Sequence, residues 1–214
     1  MRRPLPVLIL LLLSLCGTSA WAAEHEVTRR LTIALDDVQT LRIDGGVGSI
    51  DIEPVTGDTL SVVVDIEGDR TGLLRRKRDV SGIDLVQERD NGELRIGLSE
   101  DDHDDIEVHW TIKLPAVAAT AIHLGVGQVT ARVGRTALEV HVGVGEVDVT
   151  GSRMEVGQVE VSSGVGSASL HGAGQHSSHR AFVAESAEGA GEGAFDMEVS
   201  VGVGDASVLL VDET

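Results

Sequence analysis

One short pattern, a Gly-Val-Gly step followed by alternating apolar residues, recurs along the chain and limits what it can fold into. It reads GGVGSIDI at 45–52, GVGQVTA at 125–131, GVGEVDV at 143–149, GVGSASL at 164–170 and GVGDASV at 202–208. The first glycines of the last four copies stand at 125, 143, 164 and 202, at intervals of 18, 21 and 38 residues. The longest interval is close to two periods, and a half-period copy, VGQVEV at 156–161, lies between two full ones. Two short strands and two turns fit such a period, which predicts one coil of a β-solenoid per repeat. Gly suits the corners of a coil, where the backbone needs positive φ or another chain passes close by. These glycines do not form a phosphate cradle, because no helix follows to offer its first amides.

Alternation of apolar and polar residues runs through nearly all the remaining sequence. Ile106, Val108, Trp110, Ile112 and Leu114 form one face, with Glu107, His109, Thr111 and Lys113 on the other. Leu60, Val62, Val64 and Ile66 repeat the pattern, as do Leu138, Val140 and Val142, and then Phe195, Met197, Val199 and Val201. After the corners, Val129 and Ala131, Val147 and Val149, Ala168 and Leu170, and Ala206 and Val208 are expected to point inward. Gln128, Glu146, Asp148, Ser167, Ser169, Asp205 and Ser207 are expected outside. No segment has the period of an amphipathic helix. The expected fold is all-β: a β-solenoid, a single-stranded β-helix-like stack of short strands with Gly corners.

The regular repeats span 122–210, and the strands of 31–115 are less regular. LTIAL at 31–35, VQTLRID at 38–44 and SIDIEP at 49–54 read as separate short strands. IDLVQ at 83–87 and ELRIGLS at 93–99 flank the turn Arg89-Asp90-Asn91-Gly92 as a hairpin. The basic run from Arg75 to Arg78 reads as a solvated loop. The Gly-, Ala- and Ser-rich stretch from His171 to Gly193 reads as a mobile one.

Residues 1–22 have the form of a secretory signal, leaving 23–214 as one domain. Arg2 and Arg3 precede the apolar run PVLILLLLSL from Pro6 to Leu15, and Ala20-Trp21-Ala22 supplies small residues for cleavage. The apolar run is too short to span a bilayer, and no later run is long enough. The single cysteine, Cys16, departs with this segment, so no disulfide and no thiol nucleophile are expected. What remains has 15 basic and 35 acidic residues, a charge of −20, which repels nucleic acid and anionic lipid. Tyr is absent, and only Trp110, Phe182 and Phe195 could stack on a base, so nucleic-acid binding is excluded twice over.

Few residues suggest chemistry. Glu100-Asp101-Asp102-His103-Asp104-Asp105 offers carboxylates to calcium, but without the Gly-bent alternation of an EF-hand loop, and it reads as a solvated acidic loop. His171, His176 and His179 are the residue type for zinc in a stretch with no evident rigid frame. His25-Glu26 begins an H-E-x-x-H pattern that fails at Arg29, and no G-x-S-x-G nucleophile elbow occurs. Glu146, Asp148, Glu155 and Glu160 lie on outer strand faces, where acids could pair as in glycosidases or simply discourage edge aggregation. The calcium-binding nonapeptide repeat of RTX toxins does not fit, because Asp51 comes one place late and the tandem spacing is missing.

The order of elements resembles the bacterial putative-adhesin domain of β-strand repeats, a domain family of unknown function. The resemblance rests on GVGSIDI at 46–52, TLSVVVDI at 59–66, IEVHWTIKLP at 106–115 and the glycine-punctuated strands from Gly125, together covering roughly 31–210. It implies a solenoid-like all-β fold in an exported or envelope protein and supplies no catalytic residue. The expectation is an exported, non-enzymatic cell-envelope protein, periplasmic or secreted, acting as adhesin or scaffold toward an envelope or surface component. A polysaccharide-active β-helix enzyme and a weak calcium-binding module are the alternatives. No catalytic, cofactor-binding or metal residue is assigned.

Charge of this size should make stability depend on diffuse screening. Monovalent salt is expected to raise the melting temperature gradually, and calcium at fixed ionic strength to add nothing saturable. A saturable rise with calcium, lost in Asp101→Asn/Asp104→Asn, would instead identify a calcium-binding module.

Overall fold

The computed structural model describes residues 25–71, 76–99, 105–181 and 184–212. The expected signal segment 1–22, residues 100–104 of the acidic run, Arg75 and Phe182 lie outside the described residues.

The described residues form strands and no helix. In chain order these are β1 (Glu26–Ala34), β2 (Thr40–Pro54), β3 (Thr59–Gly68), β4 (Arg70–Thr71), β5 (Arg76–Lys77), β6 (Leu85–Asp90), β7 (Glu93–Leu98) and β8 (Ile106–Leu114). There follow β9 (Ala119–Val133), β10 (Ala137–Ser152), β11 (Val156–Val165), β12 (Ala168–His171), β13 (Gln175–Ala181), β14 (Ala184–Ala190) and β15 (Phe195–Val211). The all-β expectation holds.

Four of the five GVG steps lie inside one extended run, in β2, β9, β10 and β15; the step at 164–166 lies where β11 ends and β12 follows. Residues 38–44 and 49–54, expected as separate strands, are largely continuous as β2. β9 and β10 are parallel neighbours, with Ala119 beside Ala137, 18 residues further on. Fully extended, that many residues would reach roughly 60 Å, yet neighbouring strands lie only about 4.8 Å apart. The chain therefore makes a complete circuit, turning once at the GVG step and once at 134–136.

Burial records the turn as a change of phase. In β9, Thr120, Ile122 and Leu124 are buried before the step and Val129, Ala131 and Val133 after it. Leu41 and Ile43 then Ile50 and Ile52 do the same in β2, as do Met197, Val199 and Val201 then Ala206, Val208 and Leu210 in β15. All inward positions expected after the corners are buried. Both halves of each rung thus send their apolar side chains into one core, each worth about 1.5–3 kcal/mol when fully removed from water. Trp110 is the largest side chain within it.

Residues before the corners form one face, in the order β6-β7-β2-β9-β10-β15-β11-β14-β13. Residues after them form the other, in the order β1-β3-β8-β2-β9-β10-β15-β12. Thirteen strands make this one open sheet, folded along the line of corners, and β4 and β5 pair separately.

The stacking order departs from sequence order. β15 lies between β10 and β11, so the copy at 202 sits between the copies at 143 and 164. The half-period copy at 156–161 is the front half of the rung whose corner is at 164–166. The first-half copy at 45–52 joins the same stack, beside β9. The hairpin forms as expected, β6 to β7, with Asn91 and Gly92 both at positive φ, 48° and 83°. Two expected loops are strands instead. Arg76–Lys77 pairs with Arg70–Thr71, and β13 pairs with β14 as a hairpin that extends the sheet. The latter strands lack an apolar period because, among the described residues, only Ala187 on β14 is buried against the core.

The corners stack backbone on backbone. Gly48, Gly127, Gly145 and Gly204 are register partners along β2, β9, β10 and β15. These four and Gly166 all have φ between 133° and 149°. A Cβ on Gly127 would stand 1.7 Å from the carbonyl oxygen of Gly48, and one on Gly145 equally close to that of Gly127. Gly57 also has positive φ, 113°, but open space around it.

Gly127→Ala should therefore cost both the φ penalty and the collision, and Gly57→Ala only the first, about 1–2 kcal/mol. Urea unfolding is expected to show Gly127→Ala destabilised by more than about 3 kcal/mol. Equal losses at the two sites would disprove the backbone stack.

Candidate functional site

Stacking rungs in register turns each outward position into a row across the sheet. The most prominent row is apolar. Val47, Val126, Val144, Val203 and Val165 occupy the middle of successive corners, in that spatial order. Their exposures, 38 %, 46 %, 46 %, 46 % and 49 %, place every one at the surface. Four strand spacings make this ridge about 19 Å long. The corner forces it: the valine just before the positive-φ glycine stands where the inward parity changes and joins neither inward set.

On the face before the corners, one row reads Arg95, Arg42, Ala121, Glu139, Glu198, Glu160 and Glu188. Four glutamates thus occupy adjacent strands directly opposite one another. They border a hollow of about 530 Å³ whose floor includes Ala119, Ala121 and Ala137. At the other end of the row the charges are paired. Arg95 Nε lies 2.5 Å from Asp44 Oδ2, and Arg42 Nε lies 3.3 Å from Asp44 Oδ1. Arg42 Nη2 also lies 2.7 Å from His123 Nδ1, and since a guanidinium only donates, that ring nitrogen accepts. His123 packs edge-on against His141 at 6.2 Å, and His141 Nδ1 lies 2.8 Å from Ser200 Oγ.

The face after the corners carries a Ser-His-Asp set that the sequence reading missed. Ser49 Oγ lies 2.6 Å from His109 Nδ1, and His109 Nε2 lies 3.4 Å from Asp51 Oδ2. Its signal was there only in hindsight: Ser49 and Asp51 share a strand face, but His109 becomes their neighbour through the β2–β8 register, 60 residues away. The order of groups is that of a nucleophile, base and orienting acid. However, Ser49 sits mid-strand between β8 and β9, where the peptide groups are engaged in strand pairing on both sides. Amides aimed at a developing oxyanion, which acyl transfer requires, have no place on such a surface.

The residues singled out from sequence do not converge. Glu146 and Asp148 lie after the corner of β10, beside Gln128 and Thr130, whereas Glu160 lies in the glutamate row. Glu155 is in the connection between β10 and β11. Of the acidic run only Asp105 is described, at φ 62°, its carbonyl accepting from Asp69 N at 2.7 Å. His171 ends β12 beside Leu209, while His176 and His179 stand on β13 beside Gly189 and Ser186. Among the described residues no group of three acids, histidines or cysteines is arranged to hold a metal ion. His25 Nδ1 lies 3.1 Å from the Arg78 carbonyl oxygen, an attachment of the N-terminal edge.

No protein-family model matches the chain, and no curated protein matches it. Solved structures are similar in part. A structure described as "a putative cell adhesion protein" from Clostridium sporogenes is 13% identical, with a TM-score of 0.47, over 87% of this chain and 100% of that one. One described as "a putative adhesin" from Bacteroides fragilis is 9% identical, with a TM-score of 0.25, over 87% and 97%. Another, a "putative adhesin" from Parabacteroides distasonis, is 10% identical, with a TM-score of 0.26, over 86% and 97%. Likeness of this degree carries no functional argument.

The glutamate row makes a testable electrostatic statement. Like charges directly opposite on neighbouring strands each cost about 0.2–1 kcal/mol. Glu198 has a glutamate on both sides, so Glu198→Gln is expected to raise the melting temperature. The gain should shrink as salt rises from 0.01 M to 1 M order of ionic strength, where the screening length falls from about 30 to about 3 Å. A salt-independent gain, or none, would refute the repulsive row.

Proposed function

We propose that this chain is an exported, non-enzymatic protein of the cell envelope, an adhesin or scaffold that presents its outer strand faces to a surface component. In this reading the rungs form a solenoid-like stack, with one extra rung threaded between two others. Export is inferred from residues 1–22: a basic start, a short apolar run and a small-residue end. Among the described residues no helix is long and apolar enough to cross a membrane.

The observation that carries the proposal is the exposed valine ridge with its in-register rows on either side. Repeated rows at strand spacing give a long surface of uniform chemistry, suited to an extended partner. An apolar strip rimmed by polar residues is the usual make-up of a binding surface. The glutamates around the 530 Å³ hollow favour a second reading, a glycan-cleaving enzyme, since they stand on adjacent strands about 4.8 Å apart at the backbone and retaining glycosidases use two carboxyl groups about 5 Å apart.

One experiment separates the two. The purified protein is titrated onto isolated cell envelopes, alongside Val126→Asp/Val144→Asp/Val203→Asp, whose side chains are already exposed and leave the core untouched. Saturable binding, weakened at least about tenfold by these substitutions (roughly 1.4 kcal/mol), is the expected result. Absence of saturable binding, together with glycan turnover lost in Glu160→Gln, would replace the proposal with the enzyme.

A further inference from the structure

At the carboxyl ends of five neighbouring parallel strands, β8, β2, β9, β10 and β15, the protein has a hollow of about 580 Å³. That is the size range of sites for small organic ligands. Pro54, Pro115, Val133 and Val211 give it apolar walls. Arg132, near the end of β9, and Arg135, in the turn that follows, line the same space.

Those two arginines are out of keeping with the rest of the molecule. The chain carries 35 acids against 17 lysines and arginines, so acidic partners are plentiful. Arg29, Arg42, Arg89, Arg95 and Arg153 each pair with an acid. Arg132 and Arg135, with Arg30 of edge strand β1, pair with none among the described residues, and only the first two share a hollow.

From the two guanidinium groups without an acid partner among the described residues and the apolar walls beside them, we infer that this hollow binds an amphipathic monocarboxylate. The carboxylate meets the planar donor forks of Arg132 and Arg135, a geometry that guanidinium serves better than ammonium. The hydrocarbon body lies along the proline and valine walls. Glu155, the one acid lining the hollow among the described residues, opposes a second negative charge and so selects a ligand with a single anionic group. This site is separate from the valine ridge and stands or falls independently of the envelope-binding proposal.

The test is calorimetric titration of the purified protein with octanoate, acetate and octanol. Octanoate is expected to bind saturably at one site. Acetate, which has the charge without the body, and octanol, which has the body without the charge, are expected to bind at least about tenfold more weakly. Arg132→Gln/Arg135→Gln should weaken octanoate at least about tenfold, and Arg30→Gln should leave it unchanged. No saturable octanoate binding, equal binding of acetate or octanol, or binding indifferent to the double substitution would each overturn the proposal. The ligand comparison uses the unaltered protein, so it decides the question even if the double variant were to fold poorly.

Discussion

Peptide groups of neighbouring rungs meet at the GVG corner with no side chain between them, and the rest of the architecture follows from that approach. Because the second glycine of each step leaves no room for a Cβ, five rungs can turn at the same height and keep their ladders on both sides of the fold. The turn shifts the inward set from one parity to the other, so both halves of a rung feed a single core. The same shift expels the intervening valine. One backbone constraint thus produces the core, the line of folding and the exposed ridge together.

That economy explains what could be read from the sequence. Alternation is local, so the buried faces around Trp110, Leu60 and Val140 were plain, as were the inward residues after each corner. The Asn91-Gly92 turn carries its own chemistry and was equally plain. Rung order was not, because β10 has the same apolar pattern whether β11 or β15 lies beside it. The glutamate row and the Ser49–His109–Asp51 set were hidden for the same reason: each is assembled from strands whose pairing is a global property. β13 and β14 were hidden differently. A hairpin laid on the end of a stack buries little, so its sequence bears almost no hydrophobic signature.

Charge is distributed unevenly over the two ends of the stack. Around Asp44 the carboxylate is shared by Arg42 and Arg95, and near β1 Arg29 meets Asp84 at 2.6 Å. Toward β11 and β14, Glu139, Glu198, Glu160 and Glu188 face one another in a row of like charge. A surface of this kind stays soluble and resists pairing through its open strand edges, which an unclosed sheet otherwise invites. Arg132 and Arg135, without an acid partner among the described residues, stand out against that background because both line one hollow.

The position of β15 has a consequence for how the molecule comes into being. Residues 195–211 are the last of the described strands to leave the ribosome, yet they form a central rung with partners on both sides. Domains assembled in order of synthesis add each new piece to an outer edge. Here β10 and β11 must wait, their facing edges unsatisfied, until the C-terminal segment is threaded between them. The ladder between β10 and β11 therefore closes only when β15 has been delivered. A rung supplied after its two neighbours and set between them thus postpones completion of the ladder by topology alone.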